Sequence, residues 1–270
     1  MSLGFLFHAK AREPAIRVLA DGFEFPEGPA VNAQGELWVC DVPTQKLWKI
    51  DTLHGEKSEW LQLKGGANGA TFDSAGNLLV ANNIGRTIDS IAPDKTVRSL
   101  LRNPAALNSP NDVTVSPEGT IYFTDPTWKE GWRQIPQGVY ALAPDGKLAN
   151  LGSFLQPNGI KWHQGLVYFA EGATGKIYVL DPRKPEKPRL FAALKDFGAL
   201  DGIDFDDQGL LYVTLFGTGA LAVVSPDGKE MRRLKLPGKN PTNIEFSPSG
   251  EILYVTEAEK KQVLEIKNFR

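Results

Sequence analysis

Apolar and polar residues alternate in short runs along this chain, and no stretch sustains the 3.6-residue apolar period of a helix. Over residues 113–154 the pattern reads as four strands in succession. VTVS alternates, SPEG turns, TIYFTD is a β-branched and aromatic run, GVYALA follows, APDGK turns again, and LANLGSF ends the unit. The same grammar recurs elsewhere: FDSAGN, DDQG and SPSG fill the first turn slot, APDK and SPDG the later one. Each unit opens on an acidic or amide residue just ahead of its first strand. These openers are Glu27, Asn68, Asn111, Asn158, Asp201 and Asn243, spaced 41 to 47 residues apart. A period of about 40–45 residues is the length of one four-stranded propeller blade. The chain is therefore expected to be all-β, a single six-bladed β-propeller domain over residues 1–270, with helices minor.

Blade six lacks a fourth strand, because after NIEFSP, EILYVTEA and QVLEIKN the sequence ends at Arg270. AIRVLADG, ahead of the first unit, has no blade of its own. A strand at about residues 16–20 is expected to complete the last blade and remove an open sheet edge. DPRKPEKPRL, rich in proline and charge, falls between the third and fourth strands of blade four and reads as a solvated loop. Strand directions alternate, so the residue opening strand one and the residue ending strand two share a face. The second-strand ends, 13 or 14 residues after the openers, are Asp41, Asn82, Asp125, Glu171, Leu215 and Glu257. Of the loops that follow them, only the blade-three loop is long. Residues 126–137 carry Trp128, Trp132 and Arg133, and this loop is the expected lid or specificity wall.

Composition narrows the function classes. With 30 basic against 32 acidic residues and a net charge of −2, nothing suggests a surface that tracks phosphates, so no nucleic-acid partner is expected. The lone cysteine, Cys40, excludes an intramolecular disulfide framework, fits a reducing compartment, and reads as a small core residue. The first apolar run is too short for a signal peptide, and no segment approaches the roughly 20 apolar residues of a membrane span. A cytoplasmic protein, monomeric or weakly homodimeric and away from membranes, is the expectation. His54 and His163 belong on the face opposite the openers and His8 in the leader, so no Ser-His-Asp arrangement can be assembled.

The openers carry the candidate chemistry. Six blades aim them at one axis, where Glu27 and Asp201 would be two carboxylates buried together at a cost of several kcal/mol per ion. A divalent cation cancels that charge, and asparagine carbonyls add neutral oxygen ligands. With neither histidine nor cysteine in the set, oxygen ligation favours calcium, magnesium or manganese. Taken singly, Asn68–Gly69 and Asn158–Gly159 are hairpin-turn signals, Glu27 an exposed carboxylate and Asp201 a turn residue. The repeat context shifts that reading, since the turn slots of each blade are already filled. Asn68 and Asn243 are the openers most readily assigned to the funnel rim and the substrate's floor.

FPEGPAVNAQGELWVCD, SPNDVTVSPEGTIYFTDPTW, PNGIKW and DGIDFDDQGLLYVT resemble the regucalcin/gluconolactonase family of six-bladed propeller lactonases, over residues from about 16 to 258. The resemblance implies one divalent metal in the central tunnel, held by Glu27, Asn111, Asn158 and Asp201. Calcium is the first expectation, with zinc, manganese or magnesium as alternatives. It implies hydrolysis of a lactone, commonly an aldonolactone, with the metal as Lewis acid. Asp201 is the expected general base. Asn68, Asn243, Trp128, Trp132, Arg133, Asp125 and Glu171 are the expected residues around the substrate, the last two also as orienting groups. One departure stands out: regucalcins carry an arginine two residues before the blade-three asparagine, where this chain has Ser109. Arg86, Arg102 and Arg133 are the candidate substitutes. Two other functions use the same scaffold: hydrolysis of a phosphotriester or related ester, and a non-catalytic propeller with a structural ion.

Overall fold

The computed structural model describes residues 13–101, 107–128 and 134–269. These residues form 24 strands and no helix, in six four-stranded antiparallel sheets. Blade one shows the order: β2 (Pro26–Val31) is innermost, then β3 (Leu37–Asp41), β4 (Lys46–Ile50) and β5 (Lys57–Gln62). The inner strands of blades two to six are β6 (Ala70–Phe72), β10 (Val113–Val115), β14 (Pro157–His163), β18 (Ala199–Phe205) and β22 (Pro241–Phe246). Their second strands are β7 (Leu78–Asn82), β11 (Ile121–Asp125), β15 (Leu166–Glu171), β19 (Leu211–Phe216) and β23 (Leu253–Glu257). The six-bladed propeller is as the repeat predicts.

Closure comes from the N-terminal side. β1 (Ala15–Asp21) pairs antiparallel with β24 (Gln262–Lys267), setting Ile16 opposite Ile266 and Val18 opposite Leu264. The last sheet thus runs β1-β24-β23-β22, and the Arg17 guanidinium meets the buried Glu265 carboxylate at 2.9 Å across that seam.

The apolar core is distributed as six wedges between neighbouring blades. Trp38, Cys40 and Leu47 of blade one pack on Leu78 and Val80 of blade two. Leu37 and Val39 of blade one pack on Tyr254 and Val263 of blade six. Both faces of a second strand are therefore covered, and β3, β7, β11 and β23 are buried along their whole length. Such strands read as continuous apolar runs, whereas the outer strand β9 (Val97–Ser99) is exposed throughout. With apolar burial placed in the wedges, the axis is left to inner-strand ends and their polar openers.

Two local devices aim those openers inward. The ladder between first and second strands slips at Glu27/Ala30, Pro157/Ile160, Leu200/Ile203 and Pro241/Ile244. A bulge of this kind bends the strand and redirects the side chain at its kink. The glycines after the openers then allow close approach. A Cβ on Gly159 would stand 2.3 Å from the Asp201 carbonyl oxygen, and one on Gly28, at φ +44°, would stand 2.1 Å from that of Asn68. Buried threonines one place before the second-strand ends brace the kinks. Thr124 Oγ1 accepts the Asp112 N–H at 3.1 Å, Thr256 Oγ1 accepts the Asn243 N–H at 2.9 Å, and Thr214 Oγ1 donates to Gly202 O at 3.2 Å.

Candidate active site

Five of the six openers meet in one cavity of about 350 Å³ at a mouth of the axis. Glu27, Asn68, Asn111, Asn158 and Asp201 form its polar floor. Phe25, Val42, Trp128, Ala199 and Phe216 form its sides. Asn243 is not in this lining. Its Oδ1 accepts the Ile244 N–H at 2.8 Å, and its side chain hydrogen-bonds Glu27 and Asp112.

The floor gathers buried polar atoms that lack protein partners. Buried polar atoms are nearly always hydrogen-bonded, yet Asn68 Oδ1, Asn158 Oδ1 and Asp201 Oδ1 are buried without a partner. Burial pushes the Glu27 carboxyl up to about 8, against the opposing pull of the Gly28 N–H, which donates to Glu27 Oε2 at 2.8 Å. Burial likewise holds Asp201 well above its ordinary value, with the charges of Glu27 and Asp112 adding to the effect. Asp112 is raised to about 6, again by burial first. Three carboxyls at one axis resist ionisation together, and a divalent cation beside them would reverse this. Among the described residues no group of three or more His, Cys, Asp or Glu is arranged to hold a metal. The fitting donor set is instead two carboxylates and amide carbonyls, the hard-oxygen chemistry that suits calcium or magnesium.

The second-strand ends have a different position from that expected of substrate contacts. Asp125, fully buried, spends its carboxylate on the N–H groups of Asn108 (2.9 Å) and Ser109 (2.7 Å). Burial pushes Asp125 up to about 6 despite those bonds. Glu171 Oε1 accepts the Leu155 N–H at 2.8 Å, and Glu257 and Asp41 hold the N–H groups of Asn240 and Phe25 at 2.9 Å each. Neither Asp125 nor Glu171 lines the cavity; both clamp the segments that lead into the inner strands. The physical reason is local: a strand-end carboxylate lies beside unpaired backbone donors and is closer to them than to the axis.

Trp128 does line the cavity, at 41% exposure, while Trp132, Arg133 and Arg102 lie outside the described residues. Arg86 is not in the cavity lining and donates from Nε to Leu107 O at 2.6 Å, and Ser109 is fully buried. His54 pairs with Asp51 on the surface and His163 stacks on Phe205 at 4.0 Å, so neither serves the site. Cys40 is fully buried, and burial holds its thiol well above the ordinary value.

Sequence reasoning passed over several groups. Asp112, one residue past an opener, brings a third carboxylate to the axis: its Oδ2 accepts the Ile160 N–H at 3.2 Å. Deeper along the inner strands, Lys161 Nζ meets Glu245 at 2.7 Å and Asp204 at 3.0 Å. Burial works against that ammonium, but the two carboxylates hold it charged. The signal was present in GIKW, GIDF and NIEF, where a charge interrupts an otherwise apolar inner strand. The apolar sides were equally legible in position: Phe25 and Ala199 each precede an opener by two, and Val42 and Phe216 each follow a second-strand end.

A family model described as the SMP-30/Gluconolactonase/LRE-like region matches residues 25–259. The chain is 25% identical to the gluconolactonase of Zymomonas mobilis, covering 94% of this chain and 82% of that one. It is 23% identical to the diisopropyl-fluorophosphatase of Loligo vulgaris, covering 93% and 91%. In three dimensions it is similar to a gluconolactonase from Xanthomonas campestris, with a TM-score of 0.85 at 24% identity, over 96% of this chain and 91% of the other.

Proposed function

The chain belongs to the SMP-30/gluconolactonase/LRE-like family, and from that premise we propose that it is a divalent-cation-dependent hydrolase that opens a lactone ring. The observation that carries this reading is the convergence of Glu27, Asn111, Asn158 and Asp201 on one cavity floor, with Asn158 Oδ1 and Asp201 Oδ1 buried and unpartnered. These four residues would hold the ion. A cation bound there supplies Lewis-acid stabilisation of the negative charge that develops on the ring carbonyl oxygen, a contribution of several kcal/mol. Asp201 takes the proton of the attacking water as its oxygen bonds to the carbonyl carbon. The ring C–O bond then breaks, and the proton passes to the departing ring oxygen, leaving a hydroxy acid. Glu27, fixed by the Gly28 N–H and Asn243, serves to hold charge in place. Asp125 and Glu171 act at one remove, by fixing the segments ahead of Asn111 and Asn158.

Lactone hydrolysis is measured with the calcium-loaded protein, after chelation, and in Asp201→Asn. Chelation is expected to abolish turnover, and Asp201→Asn to lower kcat by at least about 100-fold, the usual contribution of a positioned base, at calcium concentrations that saturate its weakened site. Near-normal turnover in Asp201→Asn would remove that residue from the role of base. A second reading, hydrolysis of an organophosphorus ester at the same floor, is favoured by the similarity to the fluorophosphatase over nearly the whole of both chains. Activity on a phosphotriester in the absence of any lactonase activity would establish it instead.

A further inference from the structure

Resting on the lactonase reading, we propose that the part of the substrate beyond its ring ester is an apolar alkyl or aryl group rather than a polyhydroxylated sugar. Among the described residues the polar lining of the cavity is its five openers, and four of its five other lining residues form two cross-strand pairs. In blade one the Val42 N–H donates to Phe25 O at 3.1 Å, and in blade five Ala199 stands opposite Phe216. These are the blades that carry Glu27 and Asp201, so the groups that address the reacting carbonyl are flanked by hydrocarbon. Trp128 adds an indole face at the mouth. Of these five side chains none is charged, and the Trp128 indole N–H is their single hydrogen-bonding group.

The sides are also preset. Asp41 holds the Phe25 N–H at 2.9 Å, and β18 and β19 pair up to the position of Ala199 and Phe216. A side built in this way gains from each buried methylene, by about fourfold in binding. A sugar lactone placed there would lose water from its hydroxyls and find no partners among these side chains, which weakens it by roughly tenfold or more. The specificity-determining residues are therefore Phe25, Val42 and Phe216.

The test ranks kcat/KM for δ-valerolactone, δ-decalactone, dihydrocoumarin and δ-gluconolactone with the calcium-loaded protein, corrected for spontaneous hydrolysis. δ-Decalactone and dihydrocoumarin are expected to exceed δ-gluconolactone by at least about tenfold. Phe216→Ser is expected to shrink that ratio by at least about fivefold, chiefly through KM. Equal or better turnover of δ-gluconolactone would overturn the inference and leave the lactonase reading intact. If no lactone is hydrolysed, that reading fails, and calorimetric binding of non-hydrolysable lactams still decides the inference. Tighter binding of 6-pentyl-δ-valerolactam than of gluconolactam supports it, and the reverse order overturns it.

Discussion

Glu27, Asp112 and Asp201 share one axis, and burial raises all three carboxyls before any charge among them is counted. The folded, metal-free protein therefore keeps protons that the unfolded chain releases from about pH 4 upward. Where the folded state binds more protons, stability falls as pH rises. For Asp112 that loss is spread from its ordinary value near 3.8 up to about 6, and for Glu27 from 4.5 up to about 8. Melting curves in chelator are expected to show a lower Tm at pH 8 than at pH 5.5, by about 2–4 °C for each kcal/mol lost in a chain of this size. Saturating calcium is expected to flatten or reverse the slope, because a cation favours the ionised forms. A metal-free Tm that rises between pH 5.5 and 8 would contradict this account. Glu27 and Asp201 are legible in the sequence as charged openers of a repeat. Asp112 is not, since its place one residue later reads as the outward side of an alternating strand, whereas in the fold Asn111 and Asp112 both bond the backbone of Thr124 and the Asp112 carboxylate reaches the neighbouring blade at Ile160.

At the scale of the element, the inner strand is a compromise between ladder and axis. Its ladder slips beside the opener, a threonine hydroxyl takes up a freed backbone group in three blades, and glycine lets the neighbouring blade approach. The Asn-Gly and Asp-Gly pairs look like hairpin turns by composition, yet at Asn158 and Asp201 they lie within β14 and β18. Inter-blade contact explains the difference: the glycine is required by a neighbour some 40 residues away in sequence. Gly159→Ala is expected to cost about 1–3 kcal/mol, the range for overpacking, because its Cβ meets the Asp201 carbonyl oxygen at 2.3 Å. Calcium affinity should fall with it, since the displaced backbone carries Asp201. Chemical denaturation and calcium titration read the two effects separately. Unchanged values for both would show that blades four and five have room to separate.

For the whole molecule, β1 decides whether the last blade has its fourth strand and whether β24 is covered. Val263, Leu264 and Ile266 of β24 are fully buried beneath that strand. Removing residues 1–21 would expose both their apolar surface and an unpaired strand edge, a template for association. The truncated protein is expected to melt at least about 10 °C lower, at about 2–4 °C per kcal/mol, and to associate on size-exclusion chromatography. A truncated chain that stays unassociated with an unaltered Tm would show that the seam contributes little.

The sequence by itself determined the number of blades, the place of each opener and the origin of the closing strand. Strand alternation, turn chemistry and a 41–47-residue spacing are local or periodic properties, and they survive without knowledge of contacts. Tertiary structure alone decided which polar atoms at the axis are left without partners, that Asp112 joins them, and that Asp125 and Glu171 serve backbone amides. It also decided that Phe25, Val42 and Phe216 stand around the carboxylates. Those outcomes depend on how closely neighbouring blades approach. That distance is set by packing in the wedges and by the absence of a Cβ at a few glycines, and no single segment of the chain encodes it.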